Sequence, residues 1–220
     1  MNSELTHVYL MPGMAASPTI FEYIKLPESH YKIHCLEWQI PEKTETLQVY
    51  AKRMCEFIKH DNIVLLGVSF GGILVQEMSK FITLKKLIVV SSVKSHHELP
   101  KRYKLIKITK AYKILPTGLA SNIDLLAKYA FGETIKKRVS LYKKYLSLND
   151  KAYLDWSIKQ VVCWDQEEPN SEAIYIHGDK DVVFPYSCTG KCLVIKGGTH
   201  IMIINKYKWF NENLPKLIES

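Results

Sequence analysis

The chain has 220 residues, 47% of them hydrophobic, with 30 Lys and Arg against 22 Asp and Glu, a formal net charge of +8. That length and apolar share suit one domain with a proper core and exclude disordered, collagen-like and low-complexity chains. No apolar run approaches the ~18 residues of a membrane span, and the residues from Met1 to Ala16 lack the charged start and apolar stretch of a secretory leader. Five scattered cysteines (Cys35, Cys55, Cys163, Cys188 and Cys192) do not read as a disulfide framework, so the expected compartment is the cytoplasm.

Short apolar strands alternate with amphipathic helices along the chain. Val8 to Met11 reads as a strand ended by the Pro12-Gly13 turn, and Ile33 to Trp38 as a second strand stopped before Pro41. Leu47, Tyr50, Ala51, Met54 and Ile58 fall at helical spacing on one face. Ile63 to Leu66 is apolar on both faces, the pattern of a parallel strand covered on both sides. A helix from Ile73 to Phe81 and a strand from Leu87 to Val90 come next. Two further strands, Ala173 to Ile176 and Cys192 to Ile195, precede a last helix spanning approximately Ile201 to Ile218. Repeated strand–helix–strand order predicts a doubly wound α/β fold with a mostly parallel sheet of about six strands.

The segment from Lys94 to Asn170 breaks that rhythm. It carries 15 Lys and Arg against 8 Asp and Glu, which is +7 of the total charge, and it holds no comparable strand over more than seventy positions. A bare loop of that length is improbable in a compact domain. Helical patterns start at Ser121, with Ile123, Leu126, Ala127 and Ala130 on one face, and recur at Ile135, Val139, Tyr142 and Leu146. Asp150 is placed to cap a third helix carrying Tyr153, Trp156, Gln160 and Trp164. This predicts a helical insertion between two strands of the sheet. Its charge reads first as solvated helix faces, since no nucleic-acid-binding motif accompanies it.

The strongest chemical signal is Gly67-Val68-Ser69-Phe70-Gly71-Gly72, directly after an apolar strand and opening a helix. A serine at a sharp strand-to-helix turn needs small neighbours, which Gly67 and Gly71 supply. The helix start beneath it favours negative charge, and the Phe70 N–H can point at a developing oxyanion. His177-Gly178-Asp179-Lys180-Asp181 follows a later strand, and Gly197-Gly198-Thr199-His200 follows the next. Serine, acid and histidine in that order, each after a strand, meet at the carboxyl edge of one parallel sheet. Alternation along an extended chain does not choose between Asp179 and Asp181, which are two residues apart.

With these motifs the sequence resembles the α/β-hydrolase superfamily, in its small, lid-bearing serine hydrolase branch, over residues 5–93 and 172–218. The resemblance implies a core of residues 1–93 and 171–220, a helical cap (lid) of residues 94–170, and a triad of Ser69, Asp181 and His200. Asp181 is the acid implied, three residues after Gly178 and shortly before Pro185. The second oxyanion N–H would come from Met14, after Gly13, with Pro12 where relatives usually carry histidine. The chain begins at what resembles the third strand of the full fold, which implies a compact, six-stranded variant. The implied activity is cleavage of a small acyl ester or thioester through an acyl-enzyme on Ser69, with His200 as general base and Asp181 orienting it. A slow-turnover ligand-binding or sensor protein, and a C–C hydrolase or lyase, use the same fold. No organic cofactor and no metal are expected, since Cys188 and Cys192 have no second cysteine pair. The expected partner is a small acyl substrate, with no nucleic acid and no stable membrane insertion. Trp156 and Trp164 are left as either pocket walls or packing residues.

Overall fold

The computed structural model describes residues 5–110, 112, 144–145, 148, 150–185 and 192–220. Six parallel strands, β1 (Thr6–Met11), β2 (Tyr31–Cys35), β3 (Ile63–Val68), β4 (Lys86–Val90), β5 (Ile174–Gly178) and β6 (Leu193–Ile195), form one sheet in the order β2-β1-β3-β4-β5-β6. The α-helices placed in full among the described residues are α1 (Leu47–Cys55), α2 (Phe70–Met78), α3 (Lys101–Thr109), α4 (Lys151–Cys163), α5 (Met202–Asn205) and α6 (Tyr207–Glu219).

Alternation along the strands builds two cores. Tyr9, Met11, Leu65, Leu87 and Val89 face α1, α2 and α4, while Val8, Leu10, Val64, Leu66, Ile88 and Val90 face α5 and α6. Every residue of β3 is buried, as its continuous apolar run predicts for a central parallel strand. Each fully buried Leu, Ile or Val there is worth about 1.5–3 kcal/mol over exposure. α1 begins where the Thr46 side chain accepts the Val49 N–H, and it buries Leu47, Tyr50, Ala51 and Met54.

α2 runs from Phe70 to Met78 rather than from Ile73 to Phe81, α3 has no counterpart among the expected elements, and the second strand and the C-terminal helix differ as well. The second strand starts earlier, at Tyr31, and ends at Cys35 rather than Trp38. Leu36 N–H makes one last bond to Leu10 O, and Trp38 then donates from Nε1 to Gly13 O at 2.8 Å. Its neighbour β1 stops at Met11, so the ladder has no partner to continue on. The C-terminal helix is broken at Lys206 (φ −115°, ψ 23°), which separates α5 from α6. α6 keeps the expected buried face, with Phe210, Leu214 and Ile218 spaced by four.

Asp150 caps α4, its side chain accepting the Tyr153 N–H at 2.8 Å. The helix returns the chain onto the core. Trp156 Nε1 donates to Glu45 O at 2.7 Å, and Trp164 Nε1 donates to the buried Glu77 Oε1 at 2.8 Å. Both indoles therefore pack and tether α4. Below it, the outgoing and returning chains are tied together. The Gln166 side-chain amide donates to Lys94 O, and His96 N–H donates to Gln166 O, each at 2.9 Å. The expected helix around Ser121–Ala130, the one around Ile135–Leu146 apart from residues 144–145, and Cys188 lie outside the described residues. Among the described residues no helix is long and apolar enough to cross a membrane.

Candidate active site

The strand order reverses between β1 and β3, so the loops that follow these two strands diverge and leave a crevice at their carboxyl ends. Gly13 and Ser69 occupy it. Ser69 joins β3 to α2 with φ 56° and ψ −121°, a strained conformation for a residue with a side chain. Its N–H bonds to Val90 O at 2.9 Å, and its own carbonyl accepts from Ser92 Oγ at 2.7 Å and from Gly72 N–H. The crossing of strand and helix is tight. A Cβ on Gly67 would stand 2.3 Å from Gly71 O, and one on Gly71 would stand 2.3 Å from Pro12 O. The glycines on either side of Ser69 thus let helix, strand and the β1 loop close on one another.

The acid and the histidine are brought in by a second close approach. A Cβ on Gly178, at the end of β5, would lie 2.2 Å from Gly198 O, so the loops after β5 and β6 touch backbone to backbone. Lys180 N–H donates to Gly198 O at 2.9 Å across the same junction. The result is a continuous chain of hydrogen bonds. Asp181 Oδ2 lies 2.8 Å from His200 Nδ1, and His200 Nε2 lies 2.9 Å from Ser69 Oγ. Asp181 and His200 are buried, while Ser69 is half-buried and reachable. Asp179 is turned to another task, its Oδ1 accepting the Gly197 N–H at 2.6 Å.

Asp181 Oδ1 accepts the N–H groups of Val183 and Phe184 at 2.9 and 3.0 Å, which fixes the carboxylate plane. Burial opposes its charge, but His200 and His177 outweigh burial and hold the carboxyl well below the usual carboxylate range. His177 is a participant that the sequence reading did not single out. Its Nε2 donates to Phe184 O at 2.8 Å and lies 3.4 Å from Asp181 Oδ2. Burial pushes its pKa down, yet the Asp181 carboxylate pushes harder, so the net shift is upward from 6.5. The signal available in sequence was its place at i−4 from the acid, which a loop makes unreadable.

Phe70 opens α2, where N–H groups have no helical partner, and Met14 follows Gly13 beside the serine. A Cβ on Gly13 would meet Ser69 Cβ at 3.4 Å, so the Met14 loop lies directly against the elbow. Trp38 is the other residue that strand periodicity concealed. It stacks on Phe70 (ring centroids 4.8 Å apart, planes 5° apart) while its indole holds Gly13 O, fixing the loop and the elbow together. Tyr153 of α4 reaches the same loop, its hydroxyl accepting the Ala15 N–H at 3.3 Å. On the other side the Phe184 ring meets the His200 ring edge to face at 5.6 Å.

No family model and no curated protein matches the sequence. Solved structures match it over nearly their whole length. A hydrolase from Pseudomonas aeruginosa PA01 superposes with a TM-score of 0.70 at 13% identity, covering 98% of this chain and 91% of that one. A bromoperoxidase from Bacillus anthracis gives 0.69 at 18%, covering 100% and 94%. An esterase from Exiguobacterium antarcticum gives 0.69 at 17%, also covering 100% and 94%. Together with the six-stranded parallel sheet and its flanking helices, these likenesses show that the chain has the α/β-hydrolase fold.

Proposed function

We propose that the chain is a serine hydrolase that cleaves small acyl esters or thioesters in the cytoplasm. The observation that carries this reading is the unbroken Asp181–His200–Ser69 relay at 2.8 and 2.9 Å, ending on a half-buried hydroxyl at a strained turn. A serine hydroxyl is a weak nucleophile at neutral pH. His200 Nε2 takes its proton as Ser69 Oγ bonds to the substrate carbonyl carbon, and Asp181 holds the ring with Nδ1–H toward itself. The N–H groups of Phe70 and Met14 bind the oxygen of the tetrahedral intermediate. His200 then returns the proton to the departing oxygen or sulfur, leaving the acyl group on Ser69. A water molecule repeats the cycle: His200 accepts its proton, its oxygen attacks the acyl carbon, and Ser69 leaves with the proton from His200.

Residues 94–170 are the cap in this reading. The tie between Lys94–His96 and Gln166 supports a neck at that point, and Tyr153 and Trp156 support a roof over Phe70 and Trp38. Free thiols at Cys35, Cys55 and Cys163 support a reducing compartment. The test is hydrolysis of p-nitrophenyl acetate, butyrate and octanoate and of a matching acyl thioester, by the full chain and by Ser69→Ala. The expected result is turnover of at least one acyl compound that Ser69→Ala lacks. Equal rates for both proteins, or no turnover by a folded wild type, would overturn the reading.

A further inference from the structure

Three histidines far apart in sequence meet at the other end of the sheet. His7 lies near the amino end of β1, His34 lies on β2 opposite Tyr9, and His60 lies in the connection from α1 to β3. One ring nitrogen of each lies within 4.8 Å of those of the other two. His7 Nδ1 and His34 Nε2 are 2.9 Å apart, and the His60 ring stacks on His7 with centroids 3.8 Å apart. The geometry points to a binding site for a divalent transition metal of the zinc class, formed by His7, His34 and His60.

The donor chemistry selects the ion. Three imidazole donors suit zinc, copper and nickel, and disfavour calcium and magnesium, which seek oxygen. Zinc holds imidazole nitrogen at about 2.0–2.1 Å, so two ligands at the tetrahedral angle stand roughly 3.4 Å apart. The His7–His34 pair is already within that spacing, and the His60 ring, stacked on His7 with planes 9° apart, must turn out of the stack to aim its lone pair at the shared ion. Three protein ligands leave one position for water. A ligating imidazole commonly gives its other nitrogen to an oxygen partner, and Tyr9 Oη stands 2.6 Å from His60 Nδ1. Tyr9 is buried and also accepts the Lys59 N–H at 3.1 Å, so this oxygen is held in place from below. Lys32, opposite His7 on β2, faces the cluster with a positive charge and weakens a cation's hold. A bound ion would clamp the edge strand β2 and the α1–β3 connection to β1, far from Ser69.

The experiment uses the full chain without a histidine tag, titrated calorimetrically with zinc chloride and, separately, read by cobalt absorption. The expected result is one zinc ion per chain, a raised melting temperature at saturation, and a cobalt spectrum without a thiolate charge-transfer band. His34→Gln and His60→Gln should each weaken zinc binding by roughly tenfold or more and remove the thermal shift. Circular dichroism and Ser69 labelling of these variants serve as the check on folding. Zinc binding that survives in the folded double variant would overturn the proposal. So would a thiolate band in the cobalt spectrum, or no binding at submillimolar zinc.

Discussion

Histidines gather at two places on the sheet, and the two gatherings are built on opposite terms. At and after the ends of β5 and β6, His177 and His200 share one buried carboxylate, Asp181, which itself is held by two backbone N–H groups. Near the amino end of β1, His7, His34 and His60 face one another and a phenol, with no carboxylate in the cluster among the described residues. Where a buried anion is supplied, an imidazole is oriented, its cationic form is stabilised, and it can carry a proton to and from a hydroxyl. Where imidazoles are gathered with one another, the shared resource is lone pairs, and a metal ion would satisfy them together. The same side chain thus serves different chemistry according to what the sheet brings beside it.

Removing the carboxylate from the first cluster tests that contrast most harshly. Asp181→Asn keeps the shape but presents an amide to His200, and turnover of a good ester should fall by about 10⁴ in kcat because the ring adopts the wrong tautomer. Asp179→Asn removes only an acceptor for the Gly197 N–H and should keep most activity. Steady-state kinetics on the two variants checks both, and a reversed pattern would move the acid to Asp179. At the second cluster the corresponding change is Tyr9→Phe, which deletes the oxygen beside His60 and should weaken zinc binding by roughly tenfold without touching ester turnover. Calorimetry and the ester assay on one sample separate those effects.

The smallest effect concerns His177, and its sign follows from the direction of each shift. The folded pKa of Asp181 is depressed, so its stabilising contribution is full above its ordinary 3.8 and is lost as pH falls through the folded value. The folded pKa of His177 is raised, so its contribution is full below its ordinary 6.5 and is lost as pH rises through the folded value. The pair therefore stabilises most between 3.8 and 6.5. His177→Gln should lower the melting temperature most at about pH 5.5 and least at about pH 8.5. A deficit that stays constant across that range would assign His177 a packing role alone.

Much of this was readable before any coordinates, for reasons that differ by element. β1, β3 and β4 announce themselves because buried parallel strands are apolar on both faces, and the elbow does so because two close crossings admit only Gly67 and Gly71. Asp181 was separable from Asp179 only by loop context; in the fold Asp181 bonds His200, while Asp179 accepts the Gly197 N–H. Trp38 was misread as a strand residue because its apolar character continues the pattern of β2 after the partner strand has ended. The break at Lys206 leaves the helical period intact on both sides, so no periodicity reveals it. His7 and His34 stand 27 positions apart and meet only through the register of β1 and β2, which spacing along the chain does not encode. The open choice at Trp156 and Trp164 resolved toward packing, since the Glu45 carbonyl and the Glu77 carboxylate each take an indole N–H.

Activation of Ser69 as a nucleophile is read out by intact-protein mass spectrometry after exposure to a fluorophosphonate. One adduct per chain is expected, mapped to Ser69 by peptide analysis, and none on Ser69→Ala or His200→Ala. A folded wild type that stays unmodified, or an adduct that survives in Ser69→Ala, would contradict it.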